Sequence, residues 1–296
     1  MRSRKKNNKK NTRNKRHTFA RLNCAPAQKN MFSCYDNDTL HSLRDVWNIK
    51  NKNDKIQTND PKEIWKLLKK KMKNCSNEAC WMKKILKLDP NKSMEIFAPE
   101  APKSWNSDPD KWLTSDDITN VMTQYEKKYP KFEFLGPSPI DFSFQNENGT
   151  CVWEELCNFN LKRYIDLGTT KIGIILNTDD HTESGSHWVS LFININPKNN
   201  YIFFFDSTGD VPQKEVKEFI KNVTQQGDFL GIKFKYFENK KGHQKQNTEC
   251  GMYSLYMIVN LIKETKSPKD FMKGERIPDE DMLDFRKEYF NRGGSV

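Results

Sequence analysis

The run Gly251-Met252-Tyr253-Ser254-Leu255-Tyr256-Met257-Ile258-Val259-Asn260-Leu261-Ile262 is apolar on nearly every side when wound as a helix. A helix without a polar face belongs in the middle of a core, with other elements laid against it. The sequence before it supplies them. Residues 171–176, 187–193 and 201–205 read as strands, and the last is apolar at every position, as in a strand covered on both faces. Residues 232–237 add a further strand, and a helix opened by Asp210 and Pro212 is closed by Gly227. A buried helix packed on a mixed sheet is an α+β arrangement.

Ahead of this region the pattern is helical. Leu40, Leu43, Val46 and Trp47, then Ile64, Leu67, Leu68 and Met72, then Trp81, Ile85 and Leu86 recur at helical spacing and predict a small helical unit. Pro90, Pro99, Pro102 and Pro109 break the pattern and place a boundary near residue 105. Beyond it, Ser115 is expected to cap a helix carrying Ile118, Val121, Met122 and Tyr125, with Asp116 and Asp117 in its first turn. Three segments follow: a basic tail over 1–20, a helical N-terminal domain over 21–105 and a larger domain over 106–296.

The net charge of +11 comes largely from the tail, where Arg2, Arg4, Lys5, Lys6, Lys9, Lys10, Arg13, Lys15 and Arg16 crowd with almost no apolar residue. Such a block cannot offset its own ordering entropy and reads as solvated, either a nucleic-acid or import patch or a solubilising tail. The chain as a whole, with 19 Phe and 7 Trp, has the aromatic content of a packed core. No apolar run approaches the ~20 residues of a membrane span, and no hydrophobic stretch follows the basic N-terminus, so a soluble, intracellular protein is expected. Seven cysteines, an odd number at irregular spacing, predict reduced thiols. Cys24, Cys34, Cys75 and Cys80 with His17 and His41 lack the paired spacing of a zinc site, Cys151 and Cys157 read as packing, and no metal or cofactor is expected.

Cys250 stands directly before the apolar helix. A thiol there faces unpaired N–H groups and the positive end of the helix dipole, which favours the thiolate that a nucleophile requires. Gly251 leaves room for a substrate to approach the sulfur, and nearby backbone N–H groups are candidate oxyanion donors. Of the five histidines, His17 lies in the tail, His41 in the helical unit, and His181 and His243 in polar loops. Only His187 stands at the start of a predicted strand behind a flexible loop. Asp206 ends the strand that pairs with it through the turn Asn196-Pro197-Lys198-Asn199-Asn200, so carboxylate and imidazole come within hydrogen-bond reach.

His187-Trp188, then Asp206-Ser207, then Gln244 six residues before Cys250-Gly251 resembles the ubiquitin-like-protein (SUMO) protease and adenain group of papain-like cysteine proteases. The likeness is closest to the viral branch typified by the African swine fever virus polyprotein protease. It rests on Leu176-Asn177-Thr178-Asp179, Gly185-Ser186-His187-Trp188-Val189, Gln246 through Leu255, and Arg276-Ile277-Pro278-Asp279-Glu280-Asp281-Met282. Trp112 through Ile118 is similar to the segment that opens the catalytic domain across the group. The resemblance covers about residues 110–292 and makes 106–296 a cysteine protease catalytic domain of papain-like, adenain-like fold with an N-terminal helical extension. In the helical unit it is limited to Cys75 and Cys80, which resemble a cysteine pair of the swine fever enzyme.

This resemblance implies a triad of Cys250 as nucleophile, His187 as base and Asp206 as orienting acid, where the swine fever enzyme has Asn. It implies that Gln244 donates its side-chain amide to the oxyanion, with Gln246 a rival disfavoured by spacing. Trp188 is implied to narrow the subsites around a Gly-Gly stem, or else packs under its strand, and Asn177 is a substrate or oxyanion contact. The expected activity is endopeptidase cleavage after Gly-Gly in viral structural polyproteins, at assembly sites in the host cytoplasm and in the virion. The alternatives are a deconjugating protease for SUMO or ubiquitin-like modifiers, and a DNA-associated virion protein with an inactive fold. Partners are then a Gly-Gly-X polyprotein substrate and nucleic acid through the basic tail, with no membrane. The terminal Gly293-Gly294-Ser295-Val296 is either a self-processed end or a flexible one.

Overall fold

The computed structural model describes residues 23–27, 32–75, 77–86 and 95–291. The basic tail and the terminal Gly-Gly-Ser-Val lie outside them. The chain divides into two compact units, Met1–Glu100 with Phe290–Val296, and Ala101–Tyr289.

In the first unit, helices α1 (Asn37–Lys50), α2 (Pro61–Lys71) and α3 (Glu78–Ile85) are each started by a side chain accepting from a free N–H of the first turn: Asp36, Asp60 and Asn77. Pro61 at the first position of α2 gives up a donor that would have no helical partner there. Their apolar faces bury Leu40, Leu43, Ile64, Leu68, Trp81 and Ile85 around Tyr35 and Phe97. Phe290 and Asn291 return to this unit, where the Asn291 N–H donates to the Pro99 carbonyl at 2.7 Å.

The second unit opens with a 3-10 turn (Lys103–Asn106) and α4 (Ser115–Lys128). Thr114, not the expected Ser115, is the cap: its hydroxyl and the Asp117 carboxylate bind each other's backbone N–H in a capping box. Strand β1 (Phe132–Pro139) precedes the short helices α5 (Glu154–Cys157) and α6 (Leu161–Asp166). Then come β2 (Lys171–Asn177), β3 (Trp188–Asn194), β4 (Tyr201–Phe205), α7 (Lys214–Phe229) and β5 (Lys235–Glu238). Helices α8 (Cys250–Ile262), α9 (Pro268–Lys273) and α10 (Asp279–Tyr289) complete the unit. Gly227 lies inside α7 rather than ending it, and the fifth strand starts three residues later than expected, at Lys235.

The sheet runs β1-β2-β3-β4-β5, antiparallel in its middle pairs and parallel at both edges. It is a mixed α+β sheet, as the resemblance implied. One face carries Ile174, Leu176, Val189, Leu191, Ile202 and Phe204 into a core closed by Val216, Phe219 and Val223 of α7. The other takes α8, of which all but Asn260 are buried. Its apolar circumference is thus matched by cover on all sides, which anchors its first residue, Cys250, in a rigid setting. Among the described residues no helix is long and apolar enough to cross a membrane.

The expectation of reduced thiols fails. Cys24 pairs with Cys34, Cys75 with Cys80, and Cys151 with Cys157. Cys151 and Cys157 are therefore a crosslink and not simple packing residues. The odd count that argued against bridges is what three bridges and one free thiol, Cys250, add up to. No thiolate is left among the paired cysteines for a zinc ion.

Candidate active site

Strand register brings the first two site residues together. Ser190 of β3 faces Phe205 of β4, so Asp206 leaves β4 at the end where His187 enters β3. His187 Nε2 meets Asp206 Oδ1 at 2.9 Å. The carboxylate, 4% exposed, also accepts from the Thr208 N–H at 2.8 Å and the Thr208 hydroxyl at 2.7 Å. Its own carbonyl is held by Asn239 Nδ2 at 2.7 Å. Asp206 is fixed from several directions before it orients the imidazole.

With Nε2 engaged, Nδ1 is the nitrogen left for Cys250, which bonds to the ring as well. Burial alone pulls the His187 pKa down, but the bonds and charges of Asp206 and Cys250 outweigh it and push the pKa up to about 10. For Asp206, burial pushes the pKa up; the bond and charge of His187 and the two Thr208 donors overcome it and hold the carboxyl below 3.8. Each partner thus favours the charged form of the other. The structure brings Cys250, His187 and Asp206 into one site.

Three further predicted residues fall nearby with different surroundings. Gln244 Oε1 accepts from the Ser207 hydroxyl at 2.6 Å, and its Nε2 donates to the Gln246 carbonyl at 2.5 Å. Trp188 is 7% exposed; its Nε1 donates to the Leu113 carbonyl at 3.1 Å. It packs against Gly251, where an added Cβ would lie 3.1 Å from Leu113 Cβ and 3.2 Å from Trp188 Cδ1. A side chain directly after the nucleophile would have to push Leu113 or Trp188 aside by a few tenths of an ångström. Asn177 turns to its own loop: Oδ1 accepts from the Asp179 N–H at 3.0 Å and the Ser186 N–H at 3.3 Å. A Cβ added at Gly185 would fall on the Asn177 amide, and the φ of +88° there is a left-handed conformation suited to glycine. Asn177 braces the approach to His187 in this structure.

Sequence reasoning missed several contributors. Leu113, in the recognised opening segment, accepts from Trp188 Nε1 through its carbonyl and lies against Gly251. Thr208 and Ser207 look like turn residues in sequence, and only the folded loop reveals what they hold. Behind Cys250, Glu249 (1% exposed) pairs with Arg286 (1%) at 2.9 Å, and the guanidinium also binds the carbonyls of Asp110, Lys111 and Thr248 and stacks over Trp105. His243, read as a polar-loop residue, is wholly buried. Among the described residues one trio could hold a cation, Asp141, Asp180 and His181, and its His181 Nδ1 is already bound to Asp141 at 2.5 Å.

With this geometry in place, comparison with known proteins is informative. The Ulp1 protease family, C-terminal catalytic domain, matches residues 169–292. A putative thiol protease of Acanthamoeba polyphaga mimivirus is 32% identical over 60% of the chain, and the match spans 56% of that protein's length. The SUMO-1 cysteine protease of African swine fever virus is 30% identical over 60% of the chain and 67% of its own. A crystal structure of the African swine fever virus protease superposes with a TM-score of 0.68 at 23% identity, covering 92% of this chain and 96% of that one, and so shares the fold. The chain belongs to the Ulp1 protease family of cysteine peptidases.

Proposed function

We propose that the chain is a cysteine endopeptidase that cuts after Gly-Gly, with viral structural polyproteins as its substrates during particle maturation. The observation that carries this reading is His187, whose Nε2 is held by Asp206 so that Nδ1 serves the Cys250 thiol. The thiol proton passes to His187 and the sulfur attacks the scissile carbonyl. His187 then protonates the leaving amine, and water activated by the same imidazole releases the acyl group. The raised His187 pKa supports a ring that holds the thiol proton between steps. Gln244 and the N–H groups at the start of α8 take the oxyanion.

Preference for glycine is supported by crowding next to Cys250, where Trp188 and Leu113 close on Gly251. Likeness to enzymes of large DNA viruses supports the polyprotein substrate and a place in cytoplasmic assembly sites and the virion. The name SUMO-1 cysteine protease borne by one relative favours a second reading, release of a ubiquitin-like modifier. The basic tail would hold the enzyme on nucleic acid, and deleting residues 1–16 should then abolish salt-sensitive DNA binding.

A Gly-Gly-X peptide library, run beside folded modifier fusions and a Cys250→Ala control, tests the reading. Cleavage of unstructured peptides after Gly-Gly is expected. Cleavage restricted to the modifier fusions would move the assignment to deconjugation, and cleavage retained in Cys250→Ala would overturn it.

A further inference from the structure

The segment Arg276–Met282 stands out in the sequence yet contributes nothing to the triad. Its structural connections run to the residues on either side of Gln244. Asp279, the first residue of α10 and 4% exposed, accepts the Lys245 N–H on both carboxylate oxygens at 3.2 Å. Arg276 Nη2 binds the same carboxylate at 2.7 Å. Tyr253, three residues beyond Cys250 on α8, shares its hydroxyl proton between the Ile277 carbonyl at 2.8 Å and Asp279 at 3.2 Å. One buried carboxylate therefore ties the loop that carries Gln244 to the helix that carries the nucleophile.

The residue before Gln244 is tied to the same segment. His243 Nε2 lies 3.0 Å from the Phe271 carbonyl, and its Nδ1 lies 3.1 Å from the Ile277 N–H. A carbonyl only accepts and an N–H only donates, so the ring is the neutral Nε2–H tautomer. The N–H groups of His243 and Gln244 both reach the Ser207 carbonyl, at 2.7 and 2.9 Å. The Gln244 amide is then oriented by chemistry. The Gln246 carbonyl accepts only, so Nε2 faces it, Oε1 faces Ser207, and the second N–H of Nε2 is left to reach a substrate oxygen.

We propose that Asp279 is a positioning residue for the cleavage reaction: it sets the distance between the Gln244 amide and Cys250 by holding Lys245 and Tyr253 at once. The inference rests on the reading of Gln244 as the oxyanion donor. Loss of one such donor costs roughly 10²–10³ in kcat, and a displacement of about 1 Å costs about 10². Asp279→Ala should therefore lower kcat about 10²-fold with little change in KM. Asp279→Asn keeps an acceptor for the Lys245 N–H and should restore most of that loss, to within about tenfold of wild type.

The test is a double-mutant cycle on kcat and KM with a fluorogenic Gly-Gly peptide, using wild type, Gln244→Ala, both Asp279 variants and the combinations. The expected result is that the Asp279 effect shrinks to less than about threefold once Gln244 is gone, as for coupled residues. An Asp279 effect of equal size in both backgrounds, or none beside an impaired Gln244→Ala, overturns the inference and leaves Gln244 in place. A Gln244→Ala enzyme with wild-type kcat overturns both the Gln244 reading and this inference. Should Asp279→Ala fail to fold, Asp279→Ser, too short to bridge Lys245 and Tyr253, takes its place under the same criteria.

Discussion

Glu78 in the first unit and Asp206 in the second are each 4% exposed, yet their pKa values move in opposite directions. Burial raises the Glu78 pKa above 4.5; the Cys34 N–H at 2.8 Å, the Trp65 indole N–H and the Ser33 hydroxyl are neutral donors that, with the smaller pull of the Lys69 charge, only partly offset it. For Asp206 burial is again the largest effect, but an imidazole and two Thr208 donors outweigh it and the pKa falls below 3.8. The depth of burial is the same; the charge of the partner differs. A carboxylate held by neutral donors serves as a structural node, here joining Cys34 to Trp65. One facing a protonatable ring stores charge where chemistry can use it.

The comparison breaks most visibly at His187. His187→Ala should reduce peptide cleavage by roughly 10³–10⁴. It should also leave Asp206 without its main compensating partner, so that its pKa climbs as that of Glu78 does, a change readable by NMR titration. An Asp206 pKa still below 3.8 in that variant would show that Thr208 alone suffices.

Glu78→Ala tests the other half. It removes the acceptor of the buried Cys34 N–H, at a cost of about 1–3 kcal/mol, and that of the half-buried Trp65 indole N–H, so the first unit should unfold in less denaturant. Peptide cleavage by the folded protein should change less than about threefold, since Glu78 touches no reacting group.

The pH dependence of stability separates the two carboxylates. Glu78 has a folded pKa above its unfolded 4.5, so its contribution is present below pH 4.5 and is lost as pH rises through the folded value. Asp206 is the mirror case, contributing above pH 3.8 and losing that contribution as pH falls through its folded value. His187 contributes fully below pH 6.5 and loses its contribution as pH rises through about 10. The stability gap between wild type and Asp206→Asn should therefore be widest between pH 3.8 and 6.5 and narrow towards 10, while the gap to Glu78→Gln shifts against wild type above pH 4.5. Parallel curves in urea titrations would contradict the assignment. The smallest effect on catalysis is expected from Cys157→Ala, which opens the Cys151 bridge at a cost of about 2 kcal/mol and leaves kcat within about twofold.

What the sequence disclosed follows the range over which each cause acts. The apolar α8 and the hairpin joining β3 to β4 are local patterns; they put Cys250 at a helix start and Asp206 beside His187, and the resemblance joined the three. Cysteine pairing depends on which loops come together in space, so the odd count misled and the three bridges stayed hidden. Strand β1 carries Gly136 and Pro137 at a break in its register with β2, residues that read as turn signals unless a neighbouring strand overrides them. His243 looks like a polar loop residue because its partners are backbone groups, which leave no mark in side-chain identity, and the Lys245 N–H and Tyr253 hydroxyl that meet Asp279 are brought to it only by the fold. For Gln244 the resemblance supplied a role, and only the folded loop supplied the hydroxyl and carbonyl that aim its amide.

The most direct test of the account is covalent capture of the nucleophile. The purified protein is treated with a Gly-Gly peptide ending in an electrophile, and intact mass and peptide mapping are read for wild type, His187→Ala and Cys250→Ala. The account predicts a single adduct on Cys250 in wild type, far slower labelling in His187→Ala, and neither adduct nor cleavage in Cys250→Ala. Cleavage that survives in Cys250→Ala, or an adduct that forms on another residue, would contradict it.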